Sequence, residues 1–591
     1  MPRAGVVPRS RGGSSKLICR GGVVVGGWGD GDAVAFRSGE RITSMDPIEA
    51  FHGVRRPVRW SLVGGGVVAV SVVLATLPSR TQIPPLIESD YCYLLTAADR
   101  LYEGHGLTTP QPVAPLQPWS WQYDWGFLTN WPVGYPLIVW AIRVVFHLTS
   151  IEACRWIGVA ACAAALVGWF VWIKRALPPG VTGVLLAAVA AASAVPVASL
   201  TNPSTDAVLV AALPFVLLLA TGARRSSLWT VLAGLTAGGL FWIRYASVFV
   251  PVAVGLYLLV EAFRRRVRLR DVGLFGVSAA LPIAAILITN RLCGGAASTQ
   301  AQLNLGPSAG FDFSGNLLAR AWWAFTDLGF YDYRPASHWV YALWPVGLGV
   351  GAACFRPVRV TVRSFLGTPA LSLSTSVVIA LLAMLVGATT LFRAKFDYVG
   401  LERYYLPIRP LYFLLFVGPV MLIPRRVVRA GACVALFAAG SWTVQQEWSG
   451  AYTRQLRAEH AVTPYGTRSR CFEPGASQLY EWLRQQDGPN LIVVSNFHEF
   501  ITLETKIPTL PIPPDPATLN QWVERIGASR GVGEARVLFV LDSDNKWRDY
   551  WIARPAEIVR SFELQPHAGA PSLVEAYLYD YRARTSYAAV P

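Results

Sequence analysis

The stretch "VGYPLIVWAIRVVFHL" (Val133–Leu148) decides how this chain is threaded. It is apolar enough to enter a membrane, yet Arg143 and His147 interrupt it. If it crosses, every basic cluster after the first changes side. If it does not, Arg55/Arg56, Lys174/Arg175, Arg224/Arg225, Arg264–Arg270, Arg356–Arg363 and Arg425–Arg429 all share one face. Cytoplasmic loops carry an excess of Lys and Arg, which selects the second arrangement. Val133–Leu148 is then expected to be an amphipathic helix lying along the outer interface.

The rest of the chain fits that frame. It has 591 residues, 53% of them hydrophobic and only 15% charged, with a mean hydropathy of +0.39. A soluble chain of this size carries more charge. The apolar residues come in blocks of roughly 16–22, the length that crosses a hydrocarbon core. The expected spans are Trp60–Leu77, Ala153–Ile173, Val181–Leu200, Thr205–Thr221, Leu228–Ile243, Ala246–Phe263, Val272–Thr289, Trp339–Cys354, Leu371–Phe392, Leu406–Pro424 and Val427–Trp442. Trp60–Leu77 follows Arg55, Arg56 and Arg59 and reads as a retained signal-anchor. The fold class is therefore mainly α: a polytopic transmembrane helical bundle of about eleven spans. It is expected in the cell (inner) membrane, with the N-terminus cytoplasmic and the C-terminus external.

A net charge of +16 would suit nucleic acid, but the basic residues sit in short clusters between apolar blocks. That pattern suits anionic membrane lipid, and no nucleic-acid partner is expected. The eight cysteines form no CxxC pair, so neither a zinc site nor a disulfide framework is indicated. No dense acidic cluster points to a tightly held divalent ion, and no cofactor is expected.

Three regions follow. Residues 1–50 are Gly- and Arg-rich and read as a disordered basic segment, with Met45 an alternative start. Residues 55–445 form the transmembrane domain. Residues 446–591 read as a small external α/β domain. There "ASQLYEWLRQQ" (Ala476–Gln486) has helical amphipathicity, while "NLIVVS" (Asn490–Ser495) and "ARVLFVLDSD" (Ala535–Asp544) read as buried strands. The large loops expected outside, Pro78–Glu152 above all, are rich in Trp, Tyr, Pro and acids, so function is expected on that face.

Four stretches together carry a family likeness. They are "SDYCYLLTAADRLYEGHG" (Ser89–Gly106), "WPVGYPLIVWAI" (Trp131–Ile142), "LFWIRYASVFV" (Leu240–Val250) and "FDYVGLERYYLPIRP" (Phe396–Pro410). In their order and side of the membrane, the chain resembles the GT-C superfamily of integral-membrane glycosyltransferases, including the protein O-mannosyltransferase and aminoarabinose transferase branches. The resemblance covers roughly Arg55–Trp442. It implies an inverting transfer of a sugar from a polyprenyl-phosphate donor to a glycan, lipid or protein acceptor. An external-loop aspartate acts in that family as the general base, and by position it is Asp90. A carboxylate is needed because an acceptor hydroxyl is a poor nucleophile at neutral pH.

Each candidate has a plainer reading beside it. Ser89 or Asp90 can serve simply as the N-cap of a helix over Tyr91–Glu103. Glu88, Asp124 and Asp206 are candidates for a second acid, and Asp206 can equally cap the helix that starts beside it. Arg244 with Tyr245, and Arg403, are external against the basic trend and want an anionic partner, either lipid phosphate or a carboxylate. Arg403 also adjoins Glu402, an obvious ion-pair partner. Tyr135 belongs to the Gly-Tyr-Pro motif, through which the resemblance implies contact with the lipid phosphate; the lysine often found near that motif is absent here. A non-enzymatic alternative is an envelope-assembly transporter or scaffold. A transporter calls for inverted repeats and mid-span ionisable residues, which the sequence does not display. An oligosaccharide-lipid ligase is the second enzymatic alternative.

Overall fold

A computed structural model describes residues 89–112, 121–177, 181–193, 195, 203–294, 354, 368–391, 407–411, 414, 427–428, 430–435, 438, 476–531, 535–542, 555–571 and 574–581. The segment 1–50, the expected span Trp60–Leu77, Glu88 and Arg403 lie outside these residues, as do most of the expected spans Trp339–Cys354 and Leu406–Pro424 and part of Val427–Trp442.

The first helix, α1 (Ser89–Tyr102), is buried all round from Tyr91 to Asp99, its apolar side chains Tyr91, Leu94, Leu95 and Ala98 among them. It stops where Gly104 adopts φ +87, a left-handed geometry that glycine takes without steric cost. The Gly104 N–H then bonds Leu101 O at 3.2 Å and the His105 N–H bonds Arg100 O at 2.8 Å, satisfying carbonyls of the last turn. An antiparallel hairpin follows, β1 (Thr108–Pro112) and β2 (Trp121–Phe127).

The decisive stretch forms α2 (Gly134–Phe146). Its 13 residues make about 20 Å of helix, short of the ~30 Å hydrocarbon core. It buries Gly134, Tyr135, Pro136 and Val139 and exposes Val144, Val145 and Phe146. Gly134 is set by close approach: a Cβ there would fall 2.4 Å from Trp242 O. The next helix, α3 (Ser150–Ala176), opens with a capping box in which Thr149 and Glu152 satisfy each other's backbone N–H.

The bundle continues with α4 (Val181–Ser193), α5 (Thr205–Gly222), α6 (Ser227–Gly239), α7 (Phe249–Phe263), α8 (Leu269–Gly294) and α9 (Pro369–Leu391). Four described stretches are long and apolar enough to cross a membrane: Ser150–Ala176, Thr205–Gly222, Tyr245–Phe263 and Leu269–Gly294. The chain is thus an integral membrane protein of mainly helical fold. The expected span Leu228–Ile243 departs from a plain helix: α6 ends at Gly239 and passes into a 3-10 turn, Leu240–Trp242. Small residues let α6 and α8 meet closely, since a Cβ on Gly238 would fall 2.1 Å from Ala279 O.

Charge sorts to the two ends of the bundle. At one end Glu261 is fully buried and pairs with Arg224, with Arg264 at 3.0 Å and with Arg266 at 3.9 Å. The Arg224/Arg225 and Arg264–Arg270 clusters therefore share one end, as the sequence required. Asp206, Arg244 and Tyr245 occupy the other.

The C-terminal domain is an α/β unit. It contains α10 (Ala476–Gln486), β3 (Leu491–Ser495), α11 (His498–Thr505), β4 (Thr509–Leu510), α12 (Pro516–Arg530), β5 (Arg536–Asp542), α13 (Pro555–Phe562), β6 (Gln565–Pro566) and β7 (Val574–Tyr579). The sheet order is β4-β3-β5-β7-β6, with β3 parallel to β4 and β5, and β7 antiparallel to both of its neighbours. Alternation divides the two faces. Ile492 and Val494 pack with α12 and α13 residues such as Trp522 and Phe562. Leu491 and Val493 join a core that also holds Tyr91, Leu94 and Leu95 of α1 and Tyr135 of α2. One hydrophobic core thus spans the C-terminal domain and the first two helices.

Candidate functional site

The site is built around the start of α1. Ser89 and Asp90 are the first two described residues of the helix. Asp90 is half-buried in its first turn, where exposed N–H groups favour an anion by about 0.3–1 kcal/mol.

Two phenols fix α5 against this helix. The Ser204 N–H donates to Tyr135 Oη at 3.2 Å, and the Thr205 N–H donates to Tyr91 Oη at 3.3 Å. Ser204 itself caps α5, its hydroxyl accepting from the Ala207 N–H at 3.1 Å. Asp206 is therefore not the cap. It is paired with Arg244, and the two side chains are 6% and 13% exposed. Of the two anionic partners open to Arg244, the structure supplies the carboxylate. Tyr245 donates to Thr129 O at 3.2 Å and accepts from Asn290 Nδ2 at 2.9 Å, tying the turn after α6 to α8 and to the loop after β2. Tyr135 is fully buried, and its hydroxyl accepts from the Ser204 N–H at the start of α5. Asp124 lies on β2.

The C-terminal domain meets the same helix. The Tyr93 ring stacks on Trp131 with centroids 4.6 Å apart, and its hydroxyl lies 2.8 Å from His498 Nε2. His498 Nδ1 is 3.3 Å from Glu499 Oε2, and these two side chains are 11% and 15% exposed. Burial pushes His498 down to about 3, so the ring is neutral at physiological pH. Burial, with a smaller contribution from the Asp90 charge, pushes Glu499 up to about 7. Burial, aided by the Glu499 and Asp90 charges, raises Tyr93 well above the usual phenol range. Two turns or more further along α1, Asp99 pairs with Arg143 of α2 and, at 2.5 Å, with Lys506 at the end of α11. This three-way ion network clamps α1, α2 and the C-terminal domain together.

Sequence reasoning missed Tyr93, Trp131, Asp99, His498, Glu499 and Lys506 as partners. One signal was present: "VVSNFHEF" (Val493–Phe500) places a His-Glu pair just after the carboxyl end of a parallel strand, where α/β sheets gather polar groups. Among the described residues, no group of three His, Cys, Asp or Glu side chains is placed to hold a metal ion.

Comparison with known proteins supports the family likeness read from the motifs. Residues 132–289, from α2 to α8, match the family model described as dolichyl-phosphate-mannose-protein mannosyltransferase. Among solved structures, the chain is similar to ArnT from Cupriavidus metallidurans bound to undecaprenyl phosphate. The two share 12% identity and a TM-score of 0.51 over 87% of this chain and 98% of ArnT. The apo state of ArnT gives 12% identity and a TM-score of 0.50 over 88% and 98%. The Archaeoglobus fulgidus oligosaccharyltransferase in the apo form matches at 13% identity and a TM-score of 0.46, over 89% and 75%. No curated protein sequence matches the chain. The resemblance is to GT-C glycosyltransferases, in motif and in fold.

Proposed function

We propose that this chain is a membrane glycosyltransferase of the inverting, lipid-phosphate-dependent kind. It moves a sugar from a polyprenyl-phosphate donor to an acceptor at the external face, where the C-terminal domain also lies. The observation that carries the reading is the placement of Asp90. It sits in the first turn of a helix held from three sides: by Tyr135 and α2, by α5, and by the C-terminal domain through Asp99–Lys506. Such support keeps a reacting group within the narrow tolerance that catalysis requires.

In this mechanism Asp90 accepts the acceptor's O–H proton as the acceptor oxygen bonds the anomeric carbon. The bond from that carbon to the phosphate oxygen breaks, and its electron pair leaves with the lipid phosphate. A positioned base contributes about 10²–10⁴-fold to such a step. Arg244 and Arg403 are the groups assigned to the developing phosphate charge, since guanidinium forks suit phosphate oxygens. Tyr245 holds the turn that carries Arg244. Asp206 fixes that guanidinium and is a positioning acid, which leaves Glu88 and Asp124 as the candidates for a second acid.

The experiment is turnover by the purified full chain, reconstituted with a panel of undecaprenyl-phosphate-linked pentoses and hexoses and an envelope extract as acceptor. Release of undecaprenyl phosphate coupled to sugar transfer is expected for at least one donor. Transport of an intact glycolipid without cleavage, across the whole panel, would instead favour the transporter reading.

A further inference from the structure

The C-terminal domain touches the helix that carries Asp90 at two separate points. The Tyr93 hydroxyl lies 2.8 Å from His498 Nε2, and the Lys506 ammonium donates to Asp99 Oδ2 at 2.5 Å. His498 opens α11, and Lys506 directly follows its last residue, Thr505. The two contacts join residues 405 and 407 apart, a nearly constant offset, so α11 runs alongside α1 in the same direction. Leu94, Leu95 and Ala98 of α1 share one apolar core with Phe500, Ile501 and Leu503 of α11. Apolar packing holds the two helices together, but it is non-directional and does not fix height or rotation sharply. Polar contacts do fix register, because a slip leaves a buried polar group without its partner. The two contacts stand ~9 Å apart along α1, far enough to resist both sliding and turning.

The backbone at Lys506 points the same way. It adopts φ +62, the left-handed geometry that ends a helix and that glycine takes without steric cost. Lysine occupies the position against that preference, and its ammonium reaches both Asp99 and Leu503 O, the latter at 2.9 Å. Asp99 also pairs with Arg143, so the joining of α1 to α2 does not depend on Lys506. The other contact falls close to the base. Tyr93 follows Asp90 by about one turn of α1, and its ring stacks on Trp131.

We propose that α11 is a splint for the base-bearing helix: its two end contacts, Tyr93–His498 and Asp99–Lys506, set the height and rotation of the first turn of α1, which makes His498 and Lys506 positioning residues for transfer. The inference rests on the reading of Asp90 given above. Neither residue touches the reacting atoms; each acts through α1.

The test measures kcat, donor KM and backbone hydrogen exchange in the reconstituted full chain, with the donor that turns over in the panel above. Lys506→Gly removes the ammonium and relieves the left-handed backbone, so it should melt near the wild type. Tyr93→Phe keeps the ring on Trp131, removes only the hydroxyl, and carries the test should Lys506→Gly fail to fold. Each should lower kcat about tenfold with donor KM changed less than about twofold, since a slightly displaced base loses rate rather than binding. Exchange at the amides of residues 93–96, which close the first turn of α1, should rise about tenfold in both variants. Lys506→Arg retains the cation and should restore both readouts. A lowered melting temperature with kcat and exchange unchanged would overturn the splint, as would a loss of rate with exchange unmoved. Exchange that rises while kcat holds would overturn the positioning role. Exchange that rises in a chain with no transfer activity toward any donor would refute the reading of Asp90 while leaving the splint intact.

Discussion

Asp90→Asn is expected to lower the transfer rate by about 10²-fold or more while the protein still inserts and melts as the wild type does. The substitution is nearly isosteric, and asparagine serves a helix start as well as aspartate does. The two readings of Asp90 therefore differ by far more than their errors. A side chain that merely completes the first turn of α1 would lose a fraction of a kcal/mol and little rate. A base would lose its function, because an amide cannot take the acceptor's proton. Near-wild-type rates in Asp90→Asn would send the search for the catalytic acid to Glu88 or Asp124.

The second large effect is expected at Arg244 and Asp206. Both side chains are mostly buried, so removing either one leaves a charge without its partner, which typically costs about 3–5 kcal/mol. In Arg244→Ala the remaining carboxylate still faces the N-terminus of α5, which offsets part of the loss, up to ~2 kcal/mol. The double alanine variant should cost clearly less than the sum of the two singles. Additive losses below about 1 kcal/mol each would mean that the pair behaves as an exposed one. Arg244→Lys should recover stability better than activity, because an ammonium can meet one carboxylate but does not reproduce the fork that phosphate oxygens want.

What the sequence made legible follows from the range of the forces involved. Arg244 stood out because an isolated arginine at a span end against the basic trend demands an anion, and the structure supplies Asp206. The short apolar stretch at Val133–Leu148 forms a 13-residue helix, Gly134–Phe146, and its helical character was readable from its apolar run. The end of α1 was readable from Gly104, whose left-handed φ of +87 is a local matter. The strands at Leu491–Ser495 and Arg536–Asp542 were readable from apolar runs. The cap of α5 was missed in favour of Asp206 because Ser204 and Asp206 are both good first-turn residues, and only the distant Arg244 decides between them. The contacts of Tyr93 with His498 and of Asp99 with Lys506 join residues 405 and 407 apart. No local pattern encodes such pairs. They depend on how the C-terminal sheet docks, which a shared core with α1 and α2 determines.

That docking makes the central claim one about place: the lipid phosphate, Asp90 and the C-terminal domain meet at the start of α1. The most direct measurement is an experimental structure of the full chain with undecaprenyl phosphate bound in a bilayer disc. The account expects the phosphate beside the first turn of α1, within hydrogen-bond reach of the guanidinium of Arg244 or Arg403 and with Asp90 facing it. A headgroup held at the opposite end of the bundle, among Arg224, Arg264 and Arg266, would contradict it.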